Sequence, residues 1–538
     1  MENQSKVKKS IILSGLVGTG GLFVAKLIGI IYAIPFSSIL GNVKYMGYYG
    51  QAYNIYSYVL NVFTAGFPFA IATMVSKYTV LDDSKTVLLV KKVSIAMLSL
   101  LGFIGMLLLM AFSGALAPLM VAGDPTIMAN VLRILAIALF FVPVLSAFRG
   151  YYQGLKEMGE YAFSQAFEQI FRVGFLLSAA CLLVYVFHWE RKWALYASVL
   201  STTVAAIAGI LQIHHFDKAR SQEIVVQSKA QTTPALKRNE IIKELVILAI
   251  PYLISSLLGY SQQIYNAVLL PAGLKAYYPS EAKVSSIISA TTYVGVKMTA
   301  IPMVLAPGFT AAIIPHITSA LTKHNKRLIQ KNVVDCLGVV LYIGLPVSFC
   351  LFAYAAPLNY TLFYTDDLNT STMVLQWLTL EAITGTLLPV VTNLMMALKL
   401  QSLVLKRMII NAIIKGVLMV PMTMMMGFGG AVLASLIADG YLFFSNLRQI
   451  KIHYHISYKR VGQIVIRVCI GLVALWITSM VLTHLGLGSV SSRKIVCFIT
   501  MCINGLISLL VFMLVTIALK VPELAFHVHI GRPKKEAQ

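Results

Sequence analysis

Acidic residues are scarce in this chain. Only 20 Asp and Glu stand against 43 Lys and Arg in 538 residues, and all charged residues together make up 12%. A soluble domain keeps itself dispersed with roughly 25–35% charge on its surface, so a water-soluble enzyme of this size is excluded. The six cysteines (Cys181, Cys336, Cys350, Cys469, Cys497, Cys502) lack the spacing of a disulfide framework or a zinc site and read as small core residues. No G-x-x-x-x-G-K-[ST] occurs, and Gly15, Gly18, Gly20 and Gly21 do not complete a G-x-G-x-x-G, so phosphate-loop ATP chemistry is excluded. The carboxylate pair Asp82-Asp83 is the nearest thing to the metal-nucleotide site of a membrane glycosyltransferase, but a solvated turn accounts for it better. His453/His455 and His527/His529 read as interfacial residues rather than metal ligands. No catalytic residue, metal or cofactor is expected.

What the chain has instead is apolar length. Hydrophobic residues make up 58%, mean hydropathy is +0.80, and about fourteen apolar stretches of about 20 residues or more succeed one another. Lipid is the solvent in which such surface is stable, and there only helices or closed barrels satisfy the backbone. The expectation is an all-α polytopic membrane protein with about fourteen transmembrane helices. Turn chemistry marks the joints, as at Ala122-Gly123-Asp124-Pro125, Tyr364-Thr365-Asp366-Asp367 and Gly427-Phe428-Gly429-Gly430.

A weak repeat organises these helices. Gly66-Phe67-Pro68-Phe69-Ala70-Ile71 matches Gly308-Phe309-Thr310-Ala311-Ala312-Ile313, and Arg172 aligns with Lys415 at nearly the same offset. Two homologous six-helix lobes are expected: 1–213, then a polar cytoplasmic linker over 214–243, then 244–449, with two further helices and a tail over 450–538. Paired lobes around a midplane site are a transporter design.

The formal charge of +23 invites a nucleic-acid reading, which the positions of the cations exclude. Most Lys and Arg fall on alternate joints, among them Lys91-Lys92, Lys237-Arg238, Lys326-Arg327 with Lys331, and Lys459-Arg460. This is the positive-inside pattern with both termini cytoplasmic. The opening Lys6-Val7-Lys8-Lys9 and the apolar run after it read as a first membrane helix rather than a cleaved signal.

Six cations remain inside helices: Lys26, Arg133, Arg172, Lys297, Lys415 and Arg467, against three carboxylates, Glu168, Glu381 and Asp439. An ion at bilayer depth costs at least about 2.5–3.5 kcal/mol and is paired, snorkelled or facing a wet cavity. Arg133 and Arg467 lie near helix ends and can snorkel. Glu168 and Arg172 form an i,i+4 pair, and Lys415 lies at the depth of Glu381 and Asp439, so structural ion pairs are expected there. Lys26 and Lys297 have no carboxylate on their helices, which predicts an anion-attracting cavity. Two amide stripes, Gln51, Asn54, Tyr58 and Asn61 on helix two, and Ser255, Gly259, Gln262 and Asn266 on helix seven, suit sugar hydroxyls; helix-to-helix hydrogen bonding uses the same pattern.

Phe23-Val24-Ala25-Lys26-Leu27-Ile28-Gly29, Ala65-Gly66-Phe67-Pro68 and Lys297-Met298-Thr299-Ala300-Ile301-Pro302 resemble the MurJ-type lipid II flippases, nearest the Gram-positive branch with SpoVB, in the MOP transporter superfamily. The resemblance implies a bacterial cell-membrane flippase that moves undecaprenyl-pyrophosphate-linked peptidoglycan precursor to the outer leaflet by alternating access, with other cell-wall synthesis proteins as partners. It assigns substrate contact to Lys26 and Lys297, both Lys where the better-known branch has Arg. The family's second helix-one cation falls near Tyr32, its helix-two cation near Asn61 and an acidic residue at Ala300. Those departures keep teichoic or capsular lipid-linked glycans open as cargo. A multidrug exporter of the same superfamily needs an acidic cavity, which the excess of embedded cations opposes.

Overall fold

A computed structural model of the protein describes residues 28–29, 31–303, 317, 320–321, 324–491 and 493–526. Among these residues every regular element is a helix. The chain forms two compact units, Met1–Ala272 and Gly273–Gln538.

The first unit contains α1 (Ala33–Leu40), α2 (Val43–Thr64), α3 (Phe67–Val80), α4 (Ser84–Met120), α5 (Pro125–Ala136), α6 (Ala138–Gly154), α7 (Met158–Cys181), α8 (Arg191–Ala230) and α9 (Arg238–Gly259). The second contains α10 (Glu281–Ser289), α11 (Val296–Met303), α12 (Lys326–Ala353), α13 (Leu368–Ala397), α14 (Gln401–Met426), α15 (Phe428–Tyr454), α16 (Lys459–His484), α17 (Lys494–Ala518) and α18 (Val521–Phe526). Eleven described helical segments are long and apolar enough to cross a membrane. Only 22% of the apolar window of α4 and 28% of those of α16 and α17 are buried within the protein, which leaves Leu107, Phe112, Ile466 and Leu514 for lipid.

The turn residues act as helix caps. Asp83 accepts from the Thr86 N–H at 3.0 Å, Asp124 from the Thr126 N–H at 2.7 Å and Asp367 from the Thr370 N–H at 3.0 Å, each starting an apolar helix. Asp82-Asp83 is therefore a helix start, as the turn reading expects. Gly66, with φ +86°, breaks the expected second helix into α2 and α3, and Pro68 follows in the first turn of α3. A Cβ at Gly66 would lie 2.6 Å from the Ala249 carbonyl oxygen and 2.9 Å from the Tyr252 Cβ, so this glycine also lets α9 approach.

The central segment differs from the expected 214–243 linker. α8 runs unbroken through His214 to Ala230, because no Gly or Pro occurs over 214–230 and this polar extension still packs on the first unit. There Asp217 holds Lys91 in an ion pair and accepts from the Tyr152 hydroxyl at 3.0 Å. Past α8, Gln231 donates to Asp83 at 2.8 Å, and the Leu236 N–H donates to the Thr86 hydroxyl at 3.0 Å. The division between units falls at Ala272/Gly273, so the expected seventh helix belongs to the first unit, where it packs against α2, α3 and α4.

Candidate functional site

The first unit gathers polar side chains on one face of α7. Gln165, Glu168, Gln169 and Arg172 recur three and four residues apart and share that face, while Phe163, Ile170 and Phe171 on the other face are exposed to lipid. The inward face packs toward α1 and α8. Gly29 lies beside this face, where a Cβ would meet the Gln169 Nε2 at an ordinary contact distance of 3.5 Å.

Glu168 takes a different ion-pair partner from the one expected. Its carboxylate lies 2.8 Å from a terminal nitrogen of Arg149 on α6, which also donates to the Ser164 carbonyl oxygen at 2.8 Å. The i,i+4 spacing puts Arg172 on the same face as Glu168 but lets the long guanidinium extend the other way, over the Tyr32 ring at 5.8 Å. Three atoms on this face are buried without a hydrogen-bond partner: Gln165 Oε1, Gln169 Nε2 and Arg172 Nε. Buried polar groups are normally satisfied, so unpartnered ones on a membrane-length helix mark this face as a candidate place for water or a polar ligand. The glutamines and Arg149 were missed by sequence reasoning. The signal that could have found them is the 3,1,3 polar pattern inside an otherwise apolar helix.

Tyrosines line the neighbouring surface. The Tyr32 and Tyr49 hydroxyls lie 3.0 Å apart, the Tyr49 and Tyr53 rings 4.6 Å apart, and the Tyr53 hydroxyl bonds that of Thr202. Arg172 thus reaches the position of Tyr32 from another helix.

The amide stripes divide. Gln51 is fully buried and donates to the Met120 carbonyl oxygen at 3.2 Å, fastening α2 to the end of α4. Asn54 donates to the Gln51 side chain at 3.4 Å, and Asn61 to its own helix at Ser57 O, 2.7 Å away. Gln262 donates to Asn266 at 2.9 Å, with the Gln262 Oε1 buried and unpartnered. The helix carrying this pair turns into a π-helix over Tyr265–Leu269 and packs on α2, so the two stripes lie on neighbouring helices. A π turn aims side chains off the regular helix face, a geometry frequent at functional sites.

In the second unit a π-helix, Ala290–Gly295, leads into α11 and Lys297, which is half-buried. A Cβ at Gly295 would lie 2.3 Å from the Leu378 Cδ1, so this segment presses closely on α13. Lys26 and the Gly308–Ile313 half of the repeat lie outside the described residues.

Lys415 on α14 is 5% exposed, and its charge reaches Glu381 on α13. Asp439 on α15 accepts from the Thr384 hydroxyl at 3.0 Å and from the Asn411 amide at 3.2 Å. The bonds to Asp439 thus come from neutral donors, and Lys415 acts on Glu381 through its charge. Arg133 bonds Ser113 at 3.0 Å, and Arg467 bonds the Leu519 carbonyl oxygen at the end of α17, 2.7 Å away.

The chain is 28% identical over 455 residues to the lipid II flippase MurJ of Bacillus subtilis (strain 168), with 82% of each protein covered. It is 19% identical to stage V sporulation protein B of the same organism, over 66% of each. Among solved structures it shares its fold with a lipid II flippase MurJ in an inward closed conformation, at TM-score 0.66 and 14% identity, over 96% of this chain and 99% of that one. It also shares it with an inward-facing MATE-family multidrug transporter of the MOP superfamily, at TM-score 0.61 and 17% identity, over 80% of this chain and 95% of that one. Residues 11–321, more than half of the 538, match the polysaccharide biosynthesis protein family, and the chain belongs to that family.

Proposed function

We propose that this protein is a flippase for an anionic, polyprenyl-pyrophosphate-linked glycan, with the peptidoglycan precursor lipid II as cargo, carried from the inner to the outer leaflet by alternating access. The α7 face carries the reading, because Arg172 leaves a buried N–H unpartnered beside amides from Gln165 and Gln169. Such a surface accepts phosphate oxygens and sugar hydroxyls, whereas a cation exporter needs carboxylates there. The 28% identity to a lipid II flippase over 82% of the chain supports the cargo class.

Lys26 and Lys297 act as further phosphate contacts, and Tyr58, Asn61, Gln262 and Asn266 contact sugar or peptide. Both termini face the cytoplasm, which follows from the basic joints. Export of an anion from a negative-inside cell gains about 2.3 kcal/mol per charge per 100 mV, so transport proceeds without a hydrolytic step. Expression in cells depleted of their lipid II flippase tests the proposal: growth and outer-leaflet lipid II are restored. Accumulation in the membrane without restored lipid II, but with restored export of teichoic or capsular lipid intermediates, would move the cargo to those glycans.

A further inference from the structure

Away from the α7 face, the second unit holds a cavity of about 640 Å³ where α12 and α16 begin. Arg327, Lys331, Lys459 and Arg460 line it, together with Gln330 and Ser457, and no carboxylate is in the lining. Asp335 pairs with Arg460 at 3.0 Å, and a second Arg460 nitrogen donates to the Leu524 carbonyl oxygen of α18. Arg460 is thereby fixed in place, while Arg327, Lys331 and Lys459 extend into solvent. No side chain caps the start of α16, so its positive end adds to the field, whereas Asn325 caps α12 through the Leu328 N–H at 3.1 Å. Both helices turn apolar within a turn or two, with mean hydropathies of 2.2 and 2.3 in their spans, which sets the cavity at the height where lipid headgroups lie.

We propose that this cavity binds a phosphate-bearing anion, and that its source is the headgroup of an anionic membrane lipid. Four cations around one concave space match a phosphodiester, with the Arg460 fork aligned by Asp335 and the lysines closing over it as point charges. Gln330 and Ser457 supply neutral hydrogen bonds to a headgroup hydroxyl. The site is separate from the residues assigned to cargo and is independent of that assignment.

The test uses the purified full chain in phosphatidylcholine vesicles containing a minor fraction of fluorescent phosphatidylglycerol, with binding read by quenching. Arg327→Gln/Lys331→Gln/Lys459→Gln lowers phosphatidylglycerol binding at least about tenfold, whereas Lys229→Gln/Lys237→Gln/Lys243→Gln, which removes equal charge elsewhere, changes it by less than about twofold. Lys331→Arg/Lys459→Arg keeps binding, and unchanged thermal unfolding of each variant shows that the fold is intact. Equal losses in the two triple variants, or none in the first, would overturn the site. Displacement of the lipid by millimolar inorganic phosphate would keep the phosphate chemistry but reassign its source to a soluble anion.

Discussion

Arg172 in the first unit and Lys415 in the second occupy matching places in the sequence repeat, yet their surroundings differ. Arg172 rests on an aromatic ring with its Nε buried and unbonded, while the nearby carboxylate of Glu168 bonds Arg149. Lys415 is sealed from solvent, shares the field of Glu381, and lies beside an Asp439 already satisfied by Thr384 and Asn411. Equivalent positions thus have different surroundings, an unpartnered guanidinium N–H in one unit and a sealed ammonium in the other. Free hydrogen-bonding capacity, more than charge or depth, separates the two.

The largest expected effect on transport sharpens that contrast. Arg172→Gln should lower outer-leaflet lipid II about 10- to 100-fold, the loss of one or two charge-assisted hydrogen bonds, with membrane accumulation close to wild type. Arg172→Lys should recover part of the activity, since the charge remains and the fork does not. If immunoblotting shows Arg172→Gln depleted from the membrane in proportion to lost activity, Arg172 is structural and the contrast disappears. Lys297→Ala should likewise impair transport at normal abundance, with Lys297→Arg active; wild-type flipping by Lys26→Ala/Lys297→Ala would remove both residues from the cargo path.

The closed cluster acts through folding and carries the largest expected effect on membrane abundance. Lys415→Ala leaves Glu381 uncompensated in the bundle, and breaking a buried pair from one side costs about 3–5 kcal/mol. The variant should accumulate poorly, and Lys415→Met/Glu381→Gln should recover much of the loss. A smaller version of the same cycle applies to Arg149→Gln and Glu168→Gln, because both side chains are partly accessible and Arg149 keeps its bonds to Ser164. Additive losses in either cycle would show that the paired groups act independently.

The apolar runs disclosed the membrane class, and Asp83, Asp124 and Asp367 marked helix starts because a cap is a local event within three residues. The break at Gly66 was less visible, since its cause is the approach of Ala249, far away in sequence. The linker escaped for a related reason: 214–230 is polar enough to read as a joint, and only Lys91 and Tyr152, on other helices, show why it stays helical and packed. At the candidate site, spacing put Glu168 and Arg172 on one face but could not show that Arg149 reaches Glu168 first. The bond from Gln51 to the Met120 carbonyl oxygen was not legible either, because a buried amide bonding a carbonyl and an amide facing cargo have the same sequence pattern.

The smallest effect compares the caps of the two units outside the membrane. At Asp83 burial opposes the charge, but bonds from Thr86 and Gln231 outweigh it and hold the carboxyl below its usual range; at Asp367 the same opposition is outweighed by Thr370 and Lys283. A depressed folded-state value means that each carboxylate contributes stability above its ordinary range and loses that contribution as pH falls through the folded value. Asp83→Ala and Asp367→Ala should each cost about 1 kcal/mol, the usual worth of such a cap, measurable as faster amide exchange in the first turns of α4 and α13. The response to salt should differ. Lys283 lies 3.6 Å from Asp367, with both side chains more than a third exposed, so that part of the cap is screened by ions, whereas the bonds to Asp83 come chiefly from neutral groups. Raising ionic strength should therefore speed exchange at the start of α13 more than at the start of α4, and equal responses would mean that Lys283 contributes nothing to the second cap.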